Sequence, residues 1–96
     1  MTSKQRAYLR SKASTIDSIF QVGKTGVSDI LLQELDKAIE ARELIKVTVL
    51  ETAPGSAKEL AEEIANRTNS LVVQTMGNKI TLFRQKKKNS KYELPK

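Results

Sequence analysis

Between residues 27 and 50 the apolar residues change period. Val27, Leu31, Leu35, Ala38, Ile39 and Arg42 fall on one side of a helix, and Ile45, Val47 and Val49 then alternate with Lys46 and Thr48. The first spacing is that of a core-facing helical stripe. The second is that of a strand with one buried and one wetter face. The flanking residues repeat the change. Phe20, Gln21 and Val22 alternate and Ile19 adds β-branched character, so residues 16–22 read as a strand. Ala57, Leu60, Ala61, Ile64 and Ala65 share a helical face, and residues 71–76 and 79–84 are short strand-like runs. With a first helix the order is α-β-α-β-α-β-β, an α/β fold. Strand–helix–strand units imply parallel neighbours joined by right-handed crossovers, and the final hairpin adds an antiparallel strand.

Short polar signals mark the boundaries. Thr2 with Gln5 is a capping box that opens a helix over residues 3–14; its apolar face is only Leu9 and Ala13, with Tyr8 to one side, so it is expected on the surface. Ser28 caps a helix over 28–43, with Asp29 at its positive end. Pro54-Gly55 ends the second strand, Ser56 with Glu59 is another capping box, and Gly77-Asn78 has hairpin-turn chemistry.

Composition narrows the function. Leu, Ile, Val and Phe make up 25 of 96 residues, about a quarter, above the one-fifth or so below which chains tend to disorder. That length fits one domain. There is no Cys and no His, which removes disulfides, thiolate metal sites, cysteine nucleophiles and the commonest general base. No apolar run is long enough to span a membrane and residues 1–9 lack a signal-peptide core. The expectation is a small cytoplasmic protein, a monomer, not an enzyme, with no cofactor, no metal and no membrane association. Seventeen Lys and Arg against eleven Asp and Glu give a net charge of +6. Residues 1–24 carry +4, residues 25–83 carry −3 and residues 84–96 carry +5. Such clustering suits a polyanion, although solubility alone is an equally plain reading.

Gly23-Lys24-Thr25-Gly26 is the sharpest local motif. Two glycines allow a backbone to approach a phosphate, the next helix start offers free N–H groups, and Lys24 adds charge. The simpler reading on spacing alone is a strand-to-helix turn that needs glycine twice. A P-loop is excluded because its first glycine would fall at Ser18. Glu59, Glu62 and Glu63 read as a solvated helix face rather than a cation site. Phe20 and Phe83 could stack bases from a sheet, but core packing is the better use of so few aromatics. Arg84, Lys86, Lys87, Lys88 and Lys91 form either a phosphate-binding arm or a loose solvated tail.

The stretch from Phe20 through Val27, followed by Glu40-Ala41-Arg42-Glu43-Leu44-Ile45-Lys46-Val47, resembles the CRM-domain (YhbY-like) RNA-binding proteins of bacteria. Lys4-Gln5-Arg6, Leu9-Arg10, Gln74-Thr75-Met76-Gly77-Asn78, Leu82-Phe83-Arg84 and the Leu94-Pro95-Lys96 ending extend the likeness over nearly the whole chain. The resemblance implies an α-β-α-β-α-β-β domain with a mixed four-stranded sheet packed by helices, similar to the C-terminal domain of translation initiation factor three. It also implies RNA contact through the glycine loop, in a protein that binds ribosomal RNA of large-subunit precursors and assists ribosome assembly. Two departures stand out. Ala13-Ser14 and Ser18 replace a family Ala-His and Pro, and Thr25 stands where Asn or Gly is common.

These readings combine into one expectation. Residues 1–84 form the RNA-binding domain and residues 85–96 a basic, flexible tail. RNA is held by Gly23, Lys24, Thr25 and Gly26, by Lys4, Arg6, Arg10 and Lys12 of the first helix, and by Arg84, Lys86, Lys87 and Lys88. Helix, loop and tail should then converge on one surface. A factor that docks on a ribosomal protein or GTPase through its acidic middle is the other reading.

Overall fold

The computed structural model describes residues 1–95. Its elements are α1 (Ser3–Ala13), β1 (Ser18–Val22), α2 (Asp29–Arg42), β2 (Leu44–Val49), α3 (Ala57–Thr68), β3 (Leu71–Met76) and β4 (Lys79–Phe83). The expected order holds, and the strands form one mixed four-stranded sheet in the order β1-β2-β4-β3. The caps form as their chemistry dictates. Thr2 and Gln5 bond reciprocally, as do Ser56 and Glu59, and the Ser28 hydroxyl accepts from the Leu31 N–H at 3.1 Å. No helix among the described residues is long and apolar enough to cross a membrane.

Three details differ from expectation, each for a physical reason. The first strand begins at Ser18, not Ile16. Residues 14–16 instead extend the end of α1, with the Ile16 N–H donating to the Ala13 carbonyl at 3.1 Å and the Ile16 side chain packed beneath the helix. On α2 the buried face is Leu32, Leu35 and Ile39, flanked by Leu31 and Ala38, while Arg42 is exposed. Either of two adjacent leucines could have led the stripe, and the sheet selects Leu32. Finally, the strands joined by α3 are not neighbours. β1 and β2 pair in parallel, but β4 lies between β2 and β3, antiparallel to both. Burial explains the order. Ile80, Thr81, Leu82 and Phe83 of β4 are all buried, which suits an interior strand, whereas Leu71, Thr75 and Met76 of β3 are exposed, which suits an edge.

The sheet separates two apolar clusters because adjacent strand residues point to opposite faces. Val22, Ile45, Val47, Val49, Ile80 and Leu82 face α2 and α3 and form the main core with Leu35, Ile39, Leu60 and Ile64. Leu44, Val73 and Phe83 face the other way and receive Leu9 and Ala13 of α1. The thin face of α1 therefore suffices: its two apolar residues are fully buried and the remainder lies at the surface.

Candidate nucleic-acid interface

The connections that follow β1 and β2 and the β3–β4 hairpin meet at one end of the sheet. Residues 23–26 form a tight turn, with the Gly26 N–H donating to the Gly23 carbonyl at 2.9 Å. Gly26 sits at φ +69°, and a Cβ there would lie 2.9 Å from Cγ of Pro54. Positive φ and the proline contact both require glycine at this position. Gly23 is different: an added Cβ would meet Leu50 Cδ1 at 3.6 Å, an ordinary contact, and its φ is not positive. The turn therefore needs one glycine for its shape, not two. Lys24 and Thr25 project from its tip, both exposed. Asp29 does not fill the start of α2: its carboxylate is 90% exposed and lies 3.3 Å from the Arg67 guanidinium of α3.

The four cations of α1 differ in how free they are. Lys4, Arg10 and Lys12 are exposed. Lys12 Nζ sits 5.5 Å from the centre of the Tyr8 ring. Arg6 is committed to the fold. Its Nη1 donates to the Val72 carbonyl at 2.6 Å and the Val73 carbonyl at 2.7 Å, at the point where the register of β3 against β4 shifts. An irregular strand leaves consecutive carbonyls short of ladder partners, and the two N–H groups of one guanidinium nitrogen satisfy both.

Arg84 was expected at a phosphate and is occupied instead. Its guanidinium donates to Asp36 Oδ1 at 2.8 Å, Glu40 Oε2 at 3.2 Å and the Thr68 carbonyl at 2.6 Å, tying the C-terminal ends of α2 and α3 to the end of β4. A planar fork among two carboxylates and a helix-end carbonyl is a structural clasp.

The tail also departs from expectation. Residues 85–95 fold back on the body; Lys96 lies outside the described residues. Tyr92 and Leu94 pack against the α1 cluster, with the Tyr92 ring edge-on to Phe83 at 5.8 Å. The side chain of Glu43 is buried and accepts from Ser90 Oγ at 2.5 Å, the Lys91 N–H at 2.7 Å and the Lys86 N–H at 3.2 Å. Burial pushes this carboxyl upward, but the Ser90 and backbone donors, with the charge of Lys86, outweigh it and hold the group below its ordinary 4.5. Burial, followed by the charge of Glu43 and the neighbouring Tyr8, raises Tyr92. The lysine run is conspicuous in the sequence by its charge, whereas Glu43 is marked there only as an acid between a helix and a strand; its φ of 68° belongs to the fold.

These placements separate the expected surface into two parts. Phe83 pairs with Leu44, so Lys86, Lys87 and Lys88 leave the sheet at the end opposite the glycine turn. With Glu40, Asn69, Arg84 and Gln85 they line a shallow depression of about 730 Å³. Helix α1 lies near that same end, over Leu44 and Phe83. Helix and tail therefore come together, but the turn does not join them directly. Two cations not singled out from the sequence lie between: Lys46 and Lys79, on the α1 side of the sheet. Their places follow from the alternation of β2 and β4, since their strand neighbours Ile45, Val47 and Ile80 face the other core.

An antiparallel hairpin closing a sheet opened by a parallel β-α-β unit, a tight glycine turn and a cationic first helix together define a CRM-like α/β domain. Comparison with known proteins agrees. Residues 1–84 match the CRS1 / YhbY (CRM) domain, and the chain belongs to that family. It is 45% identical over 95 residues to "Probable RNA-binding protein YqeI" of Bacillus subtilis, covering 99% of each chain. It is 36% identical over 94 residues to "Probable RNA-binding protein MJ0652" of Methanocaldococcus jannaschii, covering 96% of this chain and 69% of that one. Among solved structures, the solution structure of protein SAV1595 from Staphylococcus aureus superposes with a TM-score of 0.84 at 45% identity over 99% of each chain.

Proposed function

We propose that this chain is a non-enzymatic, cytoplasmic RNA-binding protein that engages ribosomal RNA of large-subunit precursors and assists their assembly. The observation that carries the reading is the turn at residues 23–26. Gly26 is held in a conformation that presents Lys24 and Thr25 to solvent at the tip, with the half-buried Gly23 leading into the turn beside Leu50. An exposed turn tip that offers a lysine and a hydroxyl suits a phosphodiester group. Family membership and relatives named as RNA-binding proteins support it. Lys4, Arg10 and Lys12 of α1 add charge within the same molecule.

The double substitution Lys24→Asp with Thr25→Asp tests the turn. It is expected to abolish binding to a transcribed large-subunit ribosomal RNA fragment while the circular-dichroism melt stays unchanged; unchanged affinity refutes the turn as a contact. If about five phosphates are engaged, log affinity against log salt has a slope near −3.5 for single strands, at about 0.7 per contact. The docking-factor reading draws on the exposed acids of α2 and α3, among them Glu34, Glu40 and Glu62. Co-sedimentation with ribosomal particles that survives nuclease and high salt would favour it over RNA contact.

A further inference from the structure

The side of the sheet that faces α1 is only partly covered. The helix buries Leu44, Val73 and Phe83; beyond them the face is polar, with Gln21, Thr48 and Lys79 in one row across three strands and Lys46 and Thr81 in the next, Gln21 and Lys79 exposed and Lys46 half-buried over the buried hydroxyls of Thr48 and Thr81. Lys79 Nζ donates to Thr48 Oγ1 at 2.8 Å, and that hydroxyl donates to Ser18 Oγ at 2.7 Å, so a chain of hydrogen bonds runs from the cation through Thr48 to Ser18, the β1 partner of Lys46 in the next row. None of the four strands contains an Asp or Glu, and neither does α1. On the opposite side α2 and α3 carry Asp29, Glu34, Asp36, Glu40, Glu59, Glu62 and Glu63.

Position adds to charge. Leu9 and Ala13 point into the sheet, so Tyr8 and Lys12 lie on one flank of α1 and Arg6 and Arg10 on the other. Tyr8 and Tyr92 pack on the same cluster, which assigns the first flank to the tail. Arg10 then borders the open sheet. Lys46 is two residues along β2 from the Thr48–Lys79 row, about 7 Å, and the glycine turn begins two residues beyond that row on β1, again about 7 Å. Arg10, Lys46 and Lys79 thus bridge the gap between α1 and Lys24.

Resting on the reading of the turn as an RNA contact, we propose that this open sheet face is a phosphate track, along which one strand of the RNA backbone runs from the turn past Lys79 and Lys46 to Arg10. Phe20 packs against the main core and Phe83 is buried under α1, so neither is available there to stack bases. Contacts to phosphate and sugar fit the polar face instead.

The test uses a fluorescein-labelled 20-nucleotide oligo(U) RNA titrated at several salt concentrations. Lys46→Gln with Lys79→Gln removes two cations and keeps polar side chains. Two lost contacts should make the slope shallower by about 1.4 and, at 0.1 M salt, weaken binding about 25-fold. Lys37→Gln with Lys58→Gln, on the acidic side, should change affinity less than twofold. Lysine acylation of the unaltered protein gives a readout that no substitution can distort: RNA should protect Lys46 and Lys79 and leave Lys37 and Lys58 reactive. Equal losses from both pairs, or unchanged binding and no protection at Lys46 and Lys79, overturn the track. If Lys24→Asp with Thr25→Asp abolishes binding while the sheet-face pair does not weaken it, the track fails and the turn stands. Absence of binding by the parent protein overturns both.

Discussion

Glu43 performs two separable tasks, and substitutions can part them. Its carboxylate gathers three donors from the tail, at 2.5, 2.7 and 3.2 Å. Hydrogen bonds to a charged group contribute about 1.5–3 kcal/mol each, but the loss on removing Glu43 is smaller than their sum. A freed tail returns its donors to water, so the loss is bounded by the free energy of docking residues 85–95. Apolar burial alone cannot hold them. Tyr92 and Leu94 are only partly buried and together supply about 2–4 kcal/mol, against roughly 1 kcal/mol of backbone entropy for each residue ordered. Glu43→Ala should therefore release the tail. A docking free energy of about 3 kcal/mol corresponds to roughly 150-fold in amide protection, to be read at Lys86 and Lys91 by hydrogen exchange and as trypsin cleavage after Lys86, Lys87 and Lys88. The second task is backbone geometry, since Glu43 caps α2 at φ 68°. Glu43→Gly should release the tail equally but melt several degrees higher than Glu43→Ala, because glycine relieves about 1 kcal/mol of strain. The carboxyl is held below 4.5 in the folded state, so its contribution is fully present above that pH and is lost as pH falls through the lower, folded value. Tail docking should be constant from pH 6 to 8 and weaken on the acid side of 4.5. Trypsin cleavage as slow in Glu43→Ala as in the parent would refute this account.

Two further predictions separate shape from contact. Gly26→Ala should destabilise the fold by about 1–3 kcal/mol, from positive φ and the Pro54 contact, whereas Gly23→Ala should leave the melt within about 2 °C by the same reasoning and weaken RNA binding; thermal melts beside titrations check both. Arg84→Ala should destabilise the fold by about 2 kcal/mol after discounting for solvent screening, and so lower Tm, through loss of its Asp36, Glu40 and Thr68 contacts. It should leave the salt slope of RNA binding unchanged, and a slope shallower by about 0.7 would make Arg84 a phosphate ligand after all.

Local signals were legible in the sequence wherever one residue type has one good use. Both capping boxes, the Ser28 cap, the hairpin turn and the element order could be read because their partners lie within four residues. Non-local matters could not. The insertion of β4 between β2 and β3 depends on which strand tolerates burial on both faces, a comparison between segments rather than a pattern within one. The same holds for the cations. Lys4, Arg6, Arg10 and Arg84 look alike as charges, but Arg6 meets the irregular part of β3 some 66 residues away and Arg84 meets α2 some 48 residues away. Sequence marks a cation; only the fold decides whether it is already taken.

Charge shows the same principle at the scale of the molecule. Along the chain it alternates +4, −3 and +5, which suggests two basic ends and invites the idea that they meet. In space the division runs across the sheet. α1 contributes four basic residues and no acid, and Lys46 and Lys79 join them on that side. α2 and α3 hold seven acids against Lys37, Arg42, Lys58 and Arg67 on the other. The most conspicuous basic run, Lys86 to Lys88, lies at the far end from the glycine turn and begins beside the residues that anchor the tail. The isolated lysines of β2 and β4 count for more than their number because strand alternation aims both to one side and keeps acids away from them. A polyanion approaching the acidic helix layer meets repulsion, and one approaching the open sheet meets cations spaced from α1 to the turn. This asymmetry orients the encounter before any single contact forms.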